Sequence, residues 1–262
     1  MALLLVAFAA FVAVAYGREP AAAVPTGAVL PAIPSSASLE TAPVAGAAAG
    51  SSTPVALSSA NGVSRYMAVA EPVAARAQPS VSAPVVGRLS TRTPEGTTNT
   101  VLALARVERG GLLWIKARLP VLPNNTVGWI PRASLGGYNS VNTRVVIDTT
   151  NLTLTLFRFS KSIFAARVGV GRAQWPTPRG EFYIRNKLTR YSSPTYGPVA
   201  FGTSARSAVL TDWPAGGYVG IHGTNQPALI PGRISHGCIR MRNPDILRLA
   251  NLMQPGTPLT IE

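Results

Sequence analysis

The segments Ile221-His222-Gly223-Thr224 and Ser235-His236-Gly237-Cys238-Ile239-Arg240-Met241 hold both histidines and the single cysteine of a 262-residue chain. All three residues fall within 17 positions. A thiol becomes a useful nucleophile only when its pKa is lowered or its proton is removed, and an imidazole titrating near neutrality is the usual partner. Taken singly, a cysteine is most often a small buried apolar group and a histidine a satisfied polar one. Their meeting in one stretch points to covalent chemistry. Gly223 and Gly237 beside them suit tight turns whose N–H groups face a ligand.

Those two segments closely resemble the signature of the L,D-transpeptidase catalytic domain of bacterial cell-wall enzymes. Upstream, Val168-Gly169-Val170-Gly171 and Thr177-Pro178-Arg179-Gly180-Glu181-Phe182 resemble that family's strand, turn and strand, and Gly256-Thr257-Pro258-Leu259-Thr260-Ile261 resembles its closing strand. The resemblance covers about residues 143 to 262. It implies a mainly β fold, a β-rich sandwich with one C-terminal helix. It also implies a reaction in which Cys238 attacks the carbonyl between the third and fourth residues of a peptidoglycan stem. D-Ala then leaves, and the acyl group passes from the thioester to a side-chain amine of a neighbouring stem, giving a crosslink between two third-position residues.

Within that chemistry His222 is the expected general base, the role the family gives this position, and a backbone carbonyl near Gly223 could orient its other nitrogen. His236 is the competitor, and in the family it shapes the site. The N–H groups of Gly237 and Cys238 are the natural oxyanion donors. Ser235 is expected to hydrogen-bond within the turn, and Arg240 either binds a substrate carboxylate or anchors the loop. Thr224 and Tyr218 are further candidates for substrate contact. Tyr196, Trp213 and Tyr218 lie in segments that could wall the cleft, core packing being the commoner role for each. No metal or other cofactor is implied: CxxC and HExxH spacings are absent, and Gly169-Val170-Gly171 is too weak a pattern for a phosphate cradle.

The rest of the chain sets the context. Residues 1–17 carry no charge and are almost wholly apolar, ending near Ala13-Val14-Ala15, which suits a signal-peptide cleavage site. No Lys or Arg precedes the run, and it is shorter than the roughly 20 residues of a membrane span, so a cleaved signal peptide and an uncleaved membrane anchor both stay open. With Cys238 the only cysteine, a lipidated N-terminal cysteine and an internal disulfide are excluded. In an exported protein an unpaired thiol is a reactive group to flag. Residues 18–62 are dominated by Ala, Pro, Ser, Thr, Val and Gly, a composition that buries too little to offset its ordering entropy and reads as a disordered linker.

Residues 64–140 change to short apolar runs separated by Gly110-Gly111 and Pro123-Asn124-Asn125. Val85–Leu89, Val101–Leu104, Leu112–Leu119 and Val127–Ile130 read as strands of a small β barrel, with Trp114 and Trp129 in its core. The tryptophan strands ending in Gly128-Trp129-Ile130-Pro131 resemble bacterial SH3-like domains. Beyond Gly136-Gly137, Arg144–Thr149 and Leu152–Phe159 predict a hairpin about Thr150-Asn151, and Phe164–Gly171, Glu181–Asn186, Val199–Gly202 and Tyr218–His222 predict further strands. One helix is expected after the cysteine, capped by Asn243, with Pro244 at the first helical position, Asp245 opposing the dipole, and Ile246, Leu247, Leu249, Ala250 and Met253 as its apolar stripe.

The formal charge is +14. The basic residues are scattered singly and no nucleic-acid motif accompanies them, so an anionic wall polymer or membrane head groups are better partners than nucleic acid. Two rival functions stand beside the transferase. One is an L,D-carboxypeptidase, in which water replaces the acceptor amine; the other is a non-catalytic wall-binding protein with an incidental thiol.

Overall fold

The computed structural model describes residues 53–59, 62–189, 193–210 and 217–262. The expected signal segment and nearly all of the expected linker lie outside these residues, as does Trp213. The described residues belong to one compact unit.

The first sheet draws on β1 (Val55–Ala56), β2 (Ser64–Val69), β3 (Val73–Arg76), β4 (Val85–Leu89), β5 (Thr100–Arg109), β6 (Leu112–Arg118), β7 (Val127–Pro131) and β8 (Leu135–Val141). Its order is β4-β3-β7-β6-β5-β2-β8, with β1 paired to β5, and every pairing is antiparallel. Gly110 and Gly111, both at positive φ, make the tight turn between β5 and β6. Met67, Val101, Ala103, Ile115, Ala117 and Ile130 fill one core, and Val107, Trp114 and Trp129 form a second small cluster.

The second sheet draws on β9 (Thr143–Asp148), β10 (Thr153–Arg158), β11 (Lys161–Arg167), β12 (Gly169–Gly171), β13 (Gly180–Leu188), β14 (Ala200–Arg206), β15 (Tyr218–His222), β16 (Gly232–Ser235), β17 (Ile239–Arg240) and β18 (Pro258–Ile261). They are ordered β11-β10-β9-β18-β13-β14-β15-β17-β12-β16. The run Phe164–Gly171, expected as one strand, is two. β11 pairs with β10, whereas β12 leaves for the far edge and pairs with β16 and β17. Apolar character at both ends hides that break from sequence. Helix α1 (Asn243–Leu252) follows β17 and buries Ile246, Leu249 and Ala250 against a core built from Val145, Leu154, Phe201, Ile221 and Ile239. Leu247, expected in the apolar stripe, is 46% exposed, because its position points away from the sheet.

Polar contacts join the two sheets along β13. Tyr183 donates its hydroxyl proton to the Thr100 carbonyl at 2.8 Å, and the Thr100 hydroxyl donates to the Arg185 carbonyl at 3.1 Å. Arg185, 1% exposed, pairs with Glu95 at 3.0 Å. Asn124 binds the backbone of Arg206 in both directions, at 2.7 and 3.0 Å.

Candidate active site

β15 and β17 run side by side in parallel, with Ile221 opposite Ile239 and His222 opposite Arg240. Alternation along the strands sends Val219, Ile221 and Ile239 into the core and leaves Gly220, His222, Cys238 and Arg240 on the other face. Strand pairing, rather than proximity in the chain, thus sets the segment that follows Cys238 beside the segment that ends in His222. The sulfur of Cys238 accepts the backbone N–H of Gly220 at 3.4 Å.

His222 is 3% exposed. Its Nδ1 lies 2.6 Å from the Gly223 carbonyl oxygen. A carbonyl can only accept, so Nδ1 carries the proton and the Nε2 lone pair is left as the basic site. Burial pulls the imidazole down to about 4; the Gly223 hydrogen bond opposes this, and the charge of Arg240 adds to the lowering. Burial likewise raises the Cys238 thiol above its ordinary value, offset in part by the Gly220 N–H and by Arg240. Both shifts favour the neutral forms of the thiol and the imidazole. Tyr196 lays its ring against His222, centroids 4.6 Å apart, and closes one side.

The turn carrying Cys238 is braced from both ends. Ser235 accepts the Gly237 N–H at 3.1 Å and donates to the Cys238 carbonyl at 2.5 Å. Thr177 accepts the Gly171 N–H at 2.9 Å and donates to the Gly237 carbonyl at 2.8 Å. Gly237 sits at φ 113°, a conformation L side chains rarely adopt. Because its N–H is taken by Ser235, Gly237 does not offer the oxyanion donor expected of it.

The other candidates are distributed as follows. His236 is exposed and packs on Trp175, centroids 4.2 Å apart; burial, Arg172 and Arg240 lower its pKa. Arg240 reaches Gln226 Oε1 at 3.4 Å, while its Nε is buried without a protein acceptor. Thr224 is buried, gives its N–H to Asn243 Oδ1 and accepts the Gln226 N–H. Tyr218 is turned to the first sheet, its hydroxyl donating to the Pro120 carbonyl at 2.9 Å and its ring under Arg185 and Arg206. Asn243 does not cap α1; the N-cap position is Arg242, with no side-chain cap. Among the described residues no group of three His, Cys, Asp or Glu side chains is placed to hold a metal ion.

Residues 142–261 match the family model described as L,D-transpeptidase catalytic domain. A Bacillus subtilis protein bearing the name L,D-transpeptidase YqjB is 31% identical over 126 residues, which are 45% of this chain and 69% of that protein. The chain belongs to the L,D-transpeptidase family. The L,D-transpeptidase YkuD of Bacillus licheniformis is 33% identical over 118 residues, and there the match spans 45% of this chain and 64% of the relative. The NMR structure of the catalytic domain from the E. faecium L,D-transpeptidase is 25% identical, with a TM-score of 0.37 over 46% of this chain and 96% of that one.

Three residues that touch the candidate L,D-transpeptidase site carried no role at it in the sequence: Thr177, Trp175 and Asn243. Thr177 lay in a quoted family segment, but nothing local marks which carbonyl a distant hydroxyl will meet. Asn243 sat where a helix cap is expected, and that ordinary role concealed the other.

Proposed function

We propose that this chain is an exported cysteine L,D-transpeptidase that crosslinks peptidoglycan stems. The observation that supports it best is the placement of Cys238 beside Gly220, immediately before the strand that pairs with the one ending in His222, with the imidazole proton fixed on Nδ1 by Gly223.

Nε2 of His222 takes the thiol proton as sulfur attacks the carbonyl between the diamino acid and D-Ala of a tetrapeptide stem. The tetrahedral intermediate collapses, the C–N bond breaks, and the imidazolium returns the proton to the departing D-Ala amine. A side-chain amine of a second stem then attacks the thioester. Its proton passes through His222 to the released sulfur, and the new amide is the crosslink. Two modest barriers replace one high one. Neutral resting partners suit a thiol that ionises only when a substrate is in reach.

The remaining roles follow from position. Arg240, whose charge acts on both His222 and Cys238, suits a substrate carboxylate. Residues 64–140 are read as an SH3-like β domain leading into the catalytic domain at 143–262. The basic balance of both suits anionic wall polymer, and residues 1–17 suit export or membrane tethering.

The test is incubation of the protein with purified tetrapeptide muropeptides. Mass spectrometry is expected to find crosslinked dimers and free D-Ala, both lost in Cys238→Ala. Tripeptide and D-Ala without dimers would make the protein an L,D-carboxypeptidase, and unchanged substrate would overturn both.

A further inference from the structure

The Gly223–Thr224 peptide is held at both ends. Its carbonyl accepts the His222 Nδ1–H at 2.6 Å, and its N–H donates to Asn243 Oδ1 at 2.9 Å. In a trans peptide those two groups point in opposite directions, so Asn243, the amide and the imidazole form one chain of hydrogen bonds. The fit around the asparagine oxygen is close. A Cβ on Gly197 would fall 2.5 Å from Asn243 Oδ1, and one on Gly223 closer still, so two glycines make the niche it fills. Gly197 itself is at φ 68° and follows Tyr196, the ring packed on His222.

We infer that Asn243 is a positioning residue for the base, acting on His222 through the Gly223–Thr224 peptide. This rests on the reading of His222 as the base. Cysteine and serine enzymes commonly use a side-chain carboxylate or amide to orient the catalytic imidazole directly. Here a peptide carbonyl occupies that place. A carbonyl on a free loop could turn away and release the Nδ1–H, leaving the imidazole to choose its other tautomer. Asn243 prevents that turn, because rotating the peptide would strip Thr224 N–H of its acceptor inside a partly buried niche. Each bond in the chain also polarises the next, so an acceptor at the Thr224 end strengthens the carbonyl at the Gly223 end. The first residue of α1 thereby ties the helix to the site.

The test uses the full chain labelled with nitrogen-15 at histidine. Wild type is expected to show His222 with its proton on Nδ1. In Asn243→Ala the Nε2–H tautomer is expected to become populated, with kcat on muropeptides falling about 10- to 100-fold and KM within about twofold. Asn243→Asp keeps the acceptor and adds negative charge, so His222 is expected to stay in the Nδ1–H form and to protonate at higher pH than in wild type. An Asn243→Ala protein with the wild-type tautomer and kcat would overturn the inference. So would an Asn243→Asp protein whose His222 titrates as in wild type, should the alanine variant not fold. Tautomer and titration are read without turnover, so they judge Asn243 even if the muropeptide assay defeats the enzymatic reading.

Discussion

The backbone N–H of Gly220 points at the sulfur of Cys238 from 3.4 Å, and this is a contact that a thiolate would strengthen and a thiol hardly needs. Burial nevertheless outweighs it and raises the thiol above its ordinary value. Alkylation of Cys238 by iodoacetamide is therefore expected to accelerate through a midpoint above the usual thiol value of about 8.5. A midpoint at or below neutrality would instead mean a thiolate–imidazolium pair already formed in the free protein.

His222 sets a second pH dependence, this time on stability. Its folded value of about 4 lies below the ordinary 6.5, so between those two values the unfolded chain binds a proton that the native one does not. Stability then rises with pH through that window, is fully present above about 6.5, and is lost as pH falls toward 4. The effect is on the order of 3 kcal/mol. Urea unfolding of wild type and His222→Gln at pH 7 and pH 4.5 is expected to show a larger loss in wild type. Equal losses would mean that the imidazole is already protonated in the folded protein.

Strand-sized apolar runs bounded by glycine or proline were legible in the sequence, and Tyr218–His222 forms over those very residues. The sequence also marks Cys238 and His222 as candidates, because rare residue types cluster there. Strands such as Ser64–Val69 and Leu135–Val141 were not legible, since Arg65, Asn139 and Ser140 interrupt their alternation and their pairing with each other decides them. Leu247 and the broken strand at Val168 show the same limit: apolar character says that a residue can be buried, and only the topology says which are. Thr177 and Asn243 act across 60 and 19 residues of chain, and no local pattern announces such contacts.

Arg185 and Glu95 give a prediction about how the two sheets depend on one another. The guanidinium is nearly inaccessible, and its carboxylate partner comes from the loop between β4 and β5 of the first sheet. Removing that carboxylate leaves a buried charge uncompensated, so Glu95→Ala is expected to cost about 3 kcal/mol. Glu95→Gln, which keeps an acceptor, is expected to cost less. Since Asn186 also donates to Glu95 and Thr97, the loss is felt on both sides of the junction. Calorimetry is expected to show one transition moving to lower temperature. A Glu95→Ala protein melting like wild type would mean that this ion pair contributes nothing to the joint.

Thr177 offers the sharpest test of how the nucleophile is held. Its hydroxyl is the acceptor for Gly171 N–H and the donor to Gly237 carbonyl, and the residue is buried. Thr177→Val keeps the shape and deletes both bonds, leaving a buried donor and a buried acceptor unmet at a cost of about 1 to 3 kcal/mol each. Gly237 then loses part of what stabilises its positive φ, and the sulfur one residue on becomes less well placed. Misplacement of a reacting group by about 1 Å is worth roughly 100-fold in rate, so kcat is expected to fall by about 10- to 100-fold. Thr177→Ser retains the hydroxyl and is expected to keep most of the activity. If the valine variant is destabilised yet turns over at the wild-type rate, the brace serves the fold alone and the nucleophile is positioned by Ser235 and Gly220.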